Sequence, residues 1–127
     1  MKIMIVEDND AMSEKIMEVV HTAGDELFRC STSSAVLGTF EQHKPDVVLM
    51  DIRIKPLNGV KTTKMLKHIH PEARVIMLTS HDEPEYHEAA RLAGAAGYML
   101  KENLYKLRRF LEIICSPVRW MPVNTRV

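Results

Sequence analysis

Three unbroken runs of four apolar residues place the strongest constraint on the fold of this chain. They occupy residues 3–6 (IMIV), 47–50 (VVLM) and 75–78 (VIML). A strand with one face in water alternates apolar and polar residues, whereas an unbroken run is typical of a parallel strand buried on both faces. The three runs therefore predict a parallel sheet that is covered on both sides.

Segments with helical spacing separate these runs. Two weaker strands are predicted at residues 27–30 and 97–100. Five helices are predicted from apolar stripes formed by Met12, Ile16, Val19 and Val20; Val36, Leu37 and Phe40; Val60, Met65, Leu66 and Ile69; Ala89, Ala90 and Ala93; and Leu104, Leu107, Leu111 and Ile114. The expected first or capping residues are Asp10, Ser33 or Ser34, Asp82 and Asn103. Strands that alternate with helices predict an α/β fold with right-handed crossovers.

Length and composition fit one soluble domain. The chain has 127 residues, 46% apolar and 27% charged. We expect a domain over residues 1–115 and a tail or truncated linker over residues 116–127, where no helical stripe continues. Basic and acidic residues balance at 17 each, which removes the simplest argument for direct nucleic-acid binding. No run approaches the ~20 apolar residues of a membrane helix, and no signal peptide is evident, so we expect a cytoplasmic location without membrane contact.

Polar side chains follow four of the five predicted strands. They are Glu7 and Asp8 after the first strand, Asp51 after the third, Thr79 after the fourth and Lys101 after the fifth. Ligands of open α/β sheets bind outside the carboxyl ends of the strands. We therefore expect these side chains to meet at one edge of the sheet.

This set of side chains can accept a phosphoryl group. Clustered carboxylates repel one another, and a hard divalent cation such as Mg²⁺ relieves the repulsion. Asp51 can act as a nucleophile toward phosphorus. The metal and Lys101 would neutralise charge on the transferring group, and the Thr79 hydroxyl can hydrogen-bond to a phosphoryl oxygen.

The same positions, within a match over residues 2–114, resemble the signature of response-regulator receiver domains of bacterial two-component signalling. The resemblance implies a flavodoxin-like (βα)5 doubly wound fold, with a five-stranded parallel sheet in the order 2-1-3-4-5. It implies that Asp51 accepts the phosphoryl group, that Asp8 is the main Mg²⁺ ligand, and that Glu7 binds the metal through water. The backbone carbonyl of Arg53 matches the third protein ligand.

The resemblance also implies a switch and its partners. Lys101 would pair with the phosphoryl group, Thr79 would move toward it, and Tyr98 matches the aromatic switch position. The responding surface would comprise the fourth helix, fifth strand and fifth helix, and could support a homodimer. A sensor histidine kinase or histidine phosphotransfer protein would donate, and a downstream protein or output domain would respond. The activity expected of the domain itself is Mg²⁺-dependent self-phosphorylation and self-dephosphorylation, in a single-domain regulator or in the excised receiver of a longer protein.

The chain departs from the family pattern next to the site. Glu102 follows Lys101, where the family usually has proline, often after a cis bond. A cis bond before a non-proline residue costs ~3 kcal/mol, so a trans or strained bond is expected. Lys55 occupies another family proline position and Pro56 follows it, while Gly59 keeps its expected spacing.

Two bulky residues occupy positions that modulate the access of hydrolytic water in this family. Arg53 lies two residues after Asp51, and His81 lies two residues after Thr79. We hypothesise that they lengthen the lifetime of the phosphorylated state.

Alternative interpretations follow from single features of the sequence. A flavin-binding electron carrier of this fold would need a Ser/Thr/Gly-rich phosphate cradle at residues 7–10, which read EDND. A small-molecule phosphatase would place its nucleophile after the first strand, not the third. A phosphorylation-independent interaction module stays open because of Lys55 and Glu102.

Some side chains also have purely structural interpretations. Tyr98 could serve packing alone, and Cys30 is expected to be a small buried hydrophobe. The six histidines are interpreted as surface residues. The cluster of Lys106, Arg108 and Arg109 is either a solvated face or a docking or dimer surface.

Overall fold

The computed structural model describes residues 1–80 and 82–115. The strands are β1 (Lys2–Val6), β2 (Glu26–Cys30), β3 (Val47–Asp51), β4 (Val75–Thr79) and β5 (Gly97–Leu100). The helices are α1 (Asp10–Val20), α2 (Val36–His43), α3 (Gly59–Ile69), α4 (Pro84–Ala93) and α5 (Leu107–Ile114), with short 3-10 segments at Ser33–Ala35 and Lys101–Lys106. The predicted tail, residues 116–127, lies outside the described residues.

All strand pairs are parallel, and the sheet order is β2-β1-β3-β4-β5. The flavodoxin-like (βα)5 fold expected from the resemblance is thus confirmed. No helix in the described part of the chain is long and apolar enough to cross a membrane.

The apolar runs form the three central strands, and their side chains alternate between two cores. In β1, Met4 and Val6 belong to one core, while Ile3 and Ile5 belong to the other. The first core lies under α2, α3 and α4, and the second under α1 and α5. Because successive strand side chains point to opposite faces, a strand covered on both sides needs apolar residues at every position.

The helix stripes were predicted correctly except in α3, where Ile69 is exposed and Thr62 and Thr63 are buried. The predicted caps were wrong. Asn9, not Asp10, caps α1, and its side-chain oxygen accepts from the backbone N–H of Met12 at 2.8 Å. Glu83, not Asp82, precedes α4, and it makes no side-chain capping bond. The two predicted caps have other partners, since Asp10 pairs with Arg29 and Asp82 with His87.

The starts of α2 and α5 also differ from the prediction. Ser33 and Ser34 lie in a 3-10 segment before α2, and neither caps that helix. The Ser33 hydroxyl instead accepts from the backbone N–H of Leu57, in the loop after β3. Asn103 lies in the 3-10 segment after β5 and has a non-helical backbone, so α5 begins only at Leu107.

Arg108 is not part of a solvated basic face. Its Nη1 atom donates to the Asp25 carboxylate at 2.6 Å and to the Val20 carbonyl at 2.8 Å. This side chain therefore links α5 to the end of α1. Cys30 is buried, as expected, and both cysteines are free thiols.

Candidate functional site

The end of β1 presents two acids in different environments. Glu7 is 2% exposed, whereas Asp8 is exposed. The backbone N–H of Glu7 continues the ladder to β2 by donating to the Cys30 carbonyl at 3.0 Å. The Glu7 carboxylate accepts from the backbone N–H of Asn9 at 3.1 Å. The chain thus turns sharply after β1, with one carboxylate inside and the next outside.

Asp51 is the last residue of β3 and lies between β1 and β4. Its Oδ1 atom accepts from the backbone N–H of Arg53 at 3.2 Å. The start of α3 packs directly against this strand end. A Cβ atom on Gly59 would overlap the Asp51 carbonyl oxygen and would lie 2.8 Å from the Cα atom of Ile52.

The three acids converge. One carboxylate oxygen from each of Glu7, Asp8 and Asp51 lies within 4.8 Å of the others. Hard oxygen donors of this kind, two from buried residues and one exposed to water, suit Mg²⁺, which binds through few carboxylates and keeps some of its waters. The donor set therefore fits the expected cation. The Arg53 carbonyl as a further ligand stays a prediction.

Lys101 reaches the acids from the end of β5. Its ammonium group lies 2.7 Å from Glu7 Oε1 and 3.3 Å from Asp51 Oδ1, and its side chain is 11% exposed. The bond between Lys101 and Glu102 is trans, since the cis peptide bond in the described residues is the one before Pro56. The substitution of glutamate for the family proline thus leaves the lysine at the site.

Burial raises the pKa of Glu7 above its ordinary value. The hydrogen bonds from Lys101 and from the backbone N–H of Asn9 act in the opposite direction, and the charge of Asp51 adds to the increase. The site is therefore one in which negative charge is costly, and an added cation would be favourable.

Thr79 and Tyr98 lie on the two neighbouring strands at the edge of the site. Thr79 ends β4, is 1% exposed and is in register with Leu100 of β5. Tyr98 lies two residues earlier on β5 and is half-buried. Burial raises its pKa, as do the negative charges of Asp82 and Glu83 and the neighbouring Tyr86. His81, the second predicted water-access residue, lies outside the described residues.

Sequence reasoning missed two side chains next to the site. The His87 ring lies 3.8 Å from the Tyr98 ring, and its Nε2 atom is 2.7 Å from Asp82 Oδ1. Arg29 on β2 donates two hydrogen bonds to the Glu7 carbonyl oxygen. Neither residue belongs to a sequence motif: Arg29 contacts a residue 22 positions away, and His87 joins α4 to β5.

The comparisons with known proteins agree with this geometry. The family model of the response regulator receiver domain matches residues 3–113. The transcriptional regulatory protein LnrK of Bacillus subtilis is 36% identical over 104 residues, 80% of this chain and 47% of that protein. The polar-differentiation response regulator DivK of Brucella anthropi is 32% identical over 117 residues, 90% of this chain and 93% of that protein.

A solved two-component response regulator of the LuxR family, from Aurantimonas sp. SI85-9A1, superposes with a TM-score of 0.84. It is 23% identical, and the match covers 90% of this chain and 84% of that one. The match covers 26%, 27% and 47% of the length of three of the curated transcriptional regulators that resemble this chain.

The fold is flavodoxin-like, and Glu7, Asp8, Asp51 and Lys101 meet at one edge of its sheet. More specifically, the chain belongs to the response regulator receiver domain family of two-component systems.

Proposed function

We propose that this domain accepts a phosphoryl group on Asp51 in the presence of Mg²⁺. The observation that carries the proposal is the convergence of Glu7, Asp8 and Asp51 within 4.8 Å, with Lys101 3.3 Å from Asp51. One buried carboxylate thus has both a candidate cation site and an ammonium group beside it. Such a carboxylate can attack phosphorus while positive charge stabilises the transferring group.

The proposed step is a displacement at phosphorus. An Asp51 carboxylate oxygen forms a bond to phosphorus, and the bond from phosphorus to the imidazole nitrogen of a donor phosphohistidine breaks. The electron pair leaves with the imidazole. When bound, Mg²⁺ supplies positive charge that offsets the repulsion between the acids and the phosphoryl oxygens. Glu7, Asp8 and Asp51 would hold it, with the Arg53 carbonyl as the predicted further ligand.

Lys101 has a role before and after transfer. Its ion pairs with Glu7 and Asp51 hold the ammonium group at the acids. A phosphoryl group on Asp51 would replace the Asp51 pair with a charge-assisted hydrogen bond to a phosphoryl oxygen. The buried Thr79 hydroxyl would bind a second phosphoryl oxygen.

The output would be a change in the surface formed by α4, β5 and α5. Tyr98 packs against His87 of α4, and Asp82 holds the His87 ring. Movement of Thr79 toward the phosphoryl group would alter the packing of Tyr98 and bias an existing two-state equilibrium. The proposed partners are a sensor histidine kinase or histidine phosphotransfer protein and a downstream protein or output domain. A homodimer through the same surface and a cytoplasmic location are parts of this proposal.

Phosphorylation is tested by incubating the protein with Mg²⁺ and acetyl phosphate and recording its intact mass. We expect a gain of one phosphoryl group in the parent, no gain in Asp51→Asn, and no gain when EDTA is present. No gain in the folded parent, with metal binding established, would contradict the proposal. That result would favour a phosphorylation-independent interaction module.

The lifetime of the phosphorylated state tests the proposed roles of Arg53 and His81. Arg53 is exposed and lies two residues after Asp51, the last residue of β3. We expect Arg53→Asn and His81→Ala to lose the phosphoryl group faster than the parent, because smaller side chains admit water more readily. Equal dephosphorylation rates would rule out this role.

A further inference from the structure

Arg29 holds the loop that carries the proposed metal ligands. It lies on β2 in register with Ile5 of β1. Its Nε and Nη2 atoms donate to the carbonyl oxygen of Glu7 at 3.1 and 3.0 Å. Its Nη1 atom donates to Asp10 Oδ1 at 2.8 Å. One guanidinium group therefore contacts the chain on both sides of Asp8.

Arg29 holds the Glu7 carbonyl oxygen just past the last hydrogen bond between β1 and β2. The β1–β2 ladder continues as far as the hydrogen bond from Glu7 N–H to the Cys30 carbonyl, 3.0 Å long. Beyond it, the Glu7 carbonyl is held by the side chain of Arg29. Because the peptide unit is planar, holding this oxygen also fixes the orientation of the peptide that enters Asp8.

Asp8 depends on this support from the backbone. Within residues 1–80 and 82–115, no hydrogen bond or ion pair holds the Asp8 carboxylate, and the residue is exposed. Its position relative to Glu7 and Asp51 is therefore set mainly by the course of the loop. On the far side, α1 begins at Asp10, whose carboxylate is tied to the same guanidinium group.

We propose that Arg29 is a positioning residue for the divalent cation site, an inference that rests on the proposed function. Two N–H groups of its planar guanidinium converge on one carbonyl oxygen while a third reaches a carboxylate, a fixed geometry that a lysine ammonium does not provide. It also engages Asp10, the first residue of α1, which is not among the three converging acids Glu7, Asp8 and Asp51.

The direction in which Mg²⁺ affinity changes when Arg29 is removed distinguishes positioning from simple electrostatics. A positive charge near a cation site opposes cation binding. If Arg29 acted through its charge alone, its removal would tighten Mg²⁺ binding. If it acts by positioning, removal weakens binding, because Asp8 is no longer held toward the other two carboxylates.

The test is calorimetric titration of the full chain with MgCl₂. For Arg29→Ala we expect the Kd for Mg²⁺ to rise about tenfold or more, the usual effect of removing a side chain that orients metal ligands. Arg29→Lys keeps the charge but loses the paired donors, and its Kd should lie between those of the parent and Arg29→Ala. Arg91→Ala is the matched control. It also removes an arginine, but that arginine pairs with Glu88 and both side chains are exposed, so the Kd should stay within about twofold of the parent.

Circular dichroism and thermal unfolding in EDTA establish that each variant is folded. An unchanged or lower Kd in folded Arg29→Ala overturns the proposal. If Arg29→Ala does not fold, Arg29→Lys decides the matter: a raised Kd supports positioning and an unchanged Kd overturns it. A parent that binds no Mg²⁺ overturns this inference together with the proposed metal site. If the parent binds Mg²⁺ and is phosphorylated, but Arg29→Ala has the same Kd for Mg²⁺ as the parent, only the positioning role is overturned.

Discussion

Gly59 illustrates how closely the backbone approaches the site at the scale of one residue. A methyl group there would overlap the carbonyl oxygen of Asp51 and come within 2.8 Å of the Cα atom of Ile52. Both are backbone atoms, which cannot move away as a flexible side chain can. The position of Asp51, the proposed phosphoacceptor, therefore depends on the absence of a side chain eight residues later.

Gly59→Ala should lower the free energy of unfolding by about 1–3 kcal/mol, the usual cost of inserting atoms into a filled space. It should also slow phosphorylation by acetyl phosphate, because the end of β3 must shift. Urea denaturation and the intact-mass assay measure the two effects. Gly38→Ala is the matched control, since nothing lies within 4 Å of its added Cβ atom. It should raise stability by about 0.5–1 kcal/mol, and a stable, fully active Gly59→Ala would contradict this account.

The site residues at the strand ends could be predicted from sequence, because the carboxyl ends of parallel strands all lie at the same edge of the sheet. Glu7, Asp8, Asp51 and Lys101 all meet at the predicted edge. The support of that edge could not be predicted. Arg29 contacts residues 22 and 19 positions away, and no periodic pattern reports such a contact.

At the scale of elements, Asp25 joins three parts of the chain. Its carboxylate accepts hydrogen bonds from the Met1 ammonium group at 2.8 Å, from Thr22 and from Arg108 of α5. Burial alone would raise the pKa of this carboxyl group, but the hydrogen bonds and the Arg108 charge outweigh burial and hold the pKa well below its usual range. The side chain is 3% exposed, so these contacts are well shielded from solvent.

Asp25→Asn should destabilise the protein by about 2 kcal/mol at pH 7, through the loss of hydrogen bonds to a charged group. A pKa lowered by folding contributes stability above the unfolded value of about 3.9, and this contribution is lost as the pH falls toward the folded value. The difference between parent and variant should therefore shrink as the pH falls from about 4, near the ordinary aspartate pKa, to about 2. Urea denaturation across this range measures it. Asp10→Asn, at an exposed ion pair, should show little effect at either end, and a constant Asp25→Asn difference would contradict the linkage.

Elements with strong apolar patterns were predicted more accurately than their boundaries. The five strands and five helices follow from unbroken runs and stripes. The 3-10 segments before α2 and α5 do not follow from apolar patterns, because they depend on how the chain passes from a strand to the next helix. Ser33 holds the loop after β3, and the segment that begins at Lys101 follows directly on the site.

At the scale of the whole molecule, the order of the strands brings the chemistry together. Alternation of strands and helices predicts a parallel sheet, but it does not determine that β1 and β3 are neighbours. The strand order was expected from the family resemblance, and the structure confirms it. It places the end of β1 beside the end of β3, so that Glu7 and Asp51 converge although they are far apart in sequence.

This convergence should couple the stability of the whole fold to Mg²⁺. Folding forces three carboxylates together, and Lys101 offsets only part of their charge. In EDTA, Asp8→Asn should therefore be more stable than the parent, by about 1 kcal/mol for a charge pair near water. A ligand that binds only the folded state adds about 2.7 kcal/mol at a concentration of 100 times its Kd.

With saturating Mg²⁺ the order of the two proteins should reverse, because the parent gains this stabilisation and Asp8→Asn, which lacks a ligand, gains less. Urea denaturation in EDTA and in MgCl₂, at ionic strength matched with NaCl, measures both orders. A reversal in the order of stability distinguishes a metal site from general screening by salt. Screening alone would make the stabilities of the two proteins more similar without reversing their order. If the parent has the same unfolding midpoint in both solutions, the acids do not bind the cation. The repulsion that folding creates at this edge would then have to be balanced by Lys101 alone.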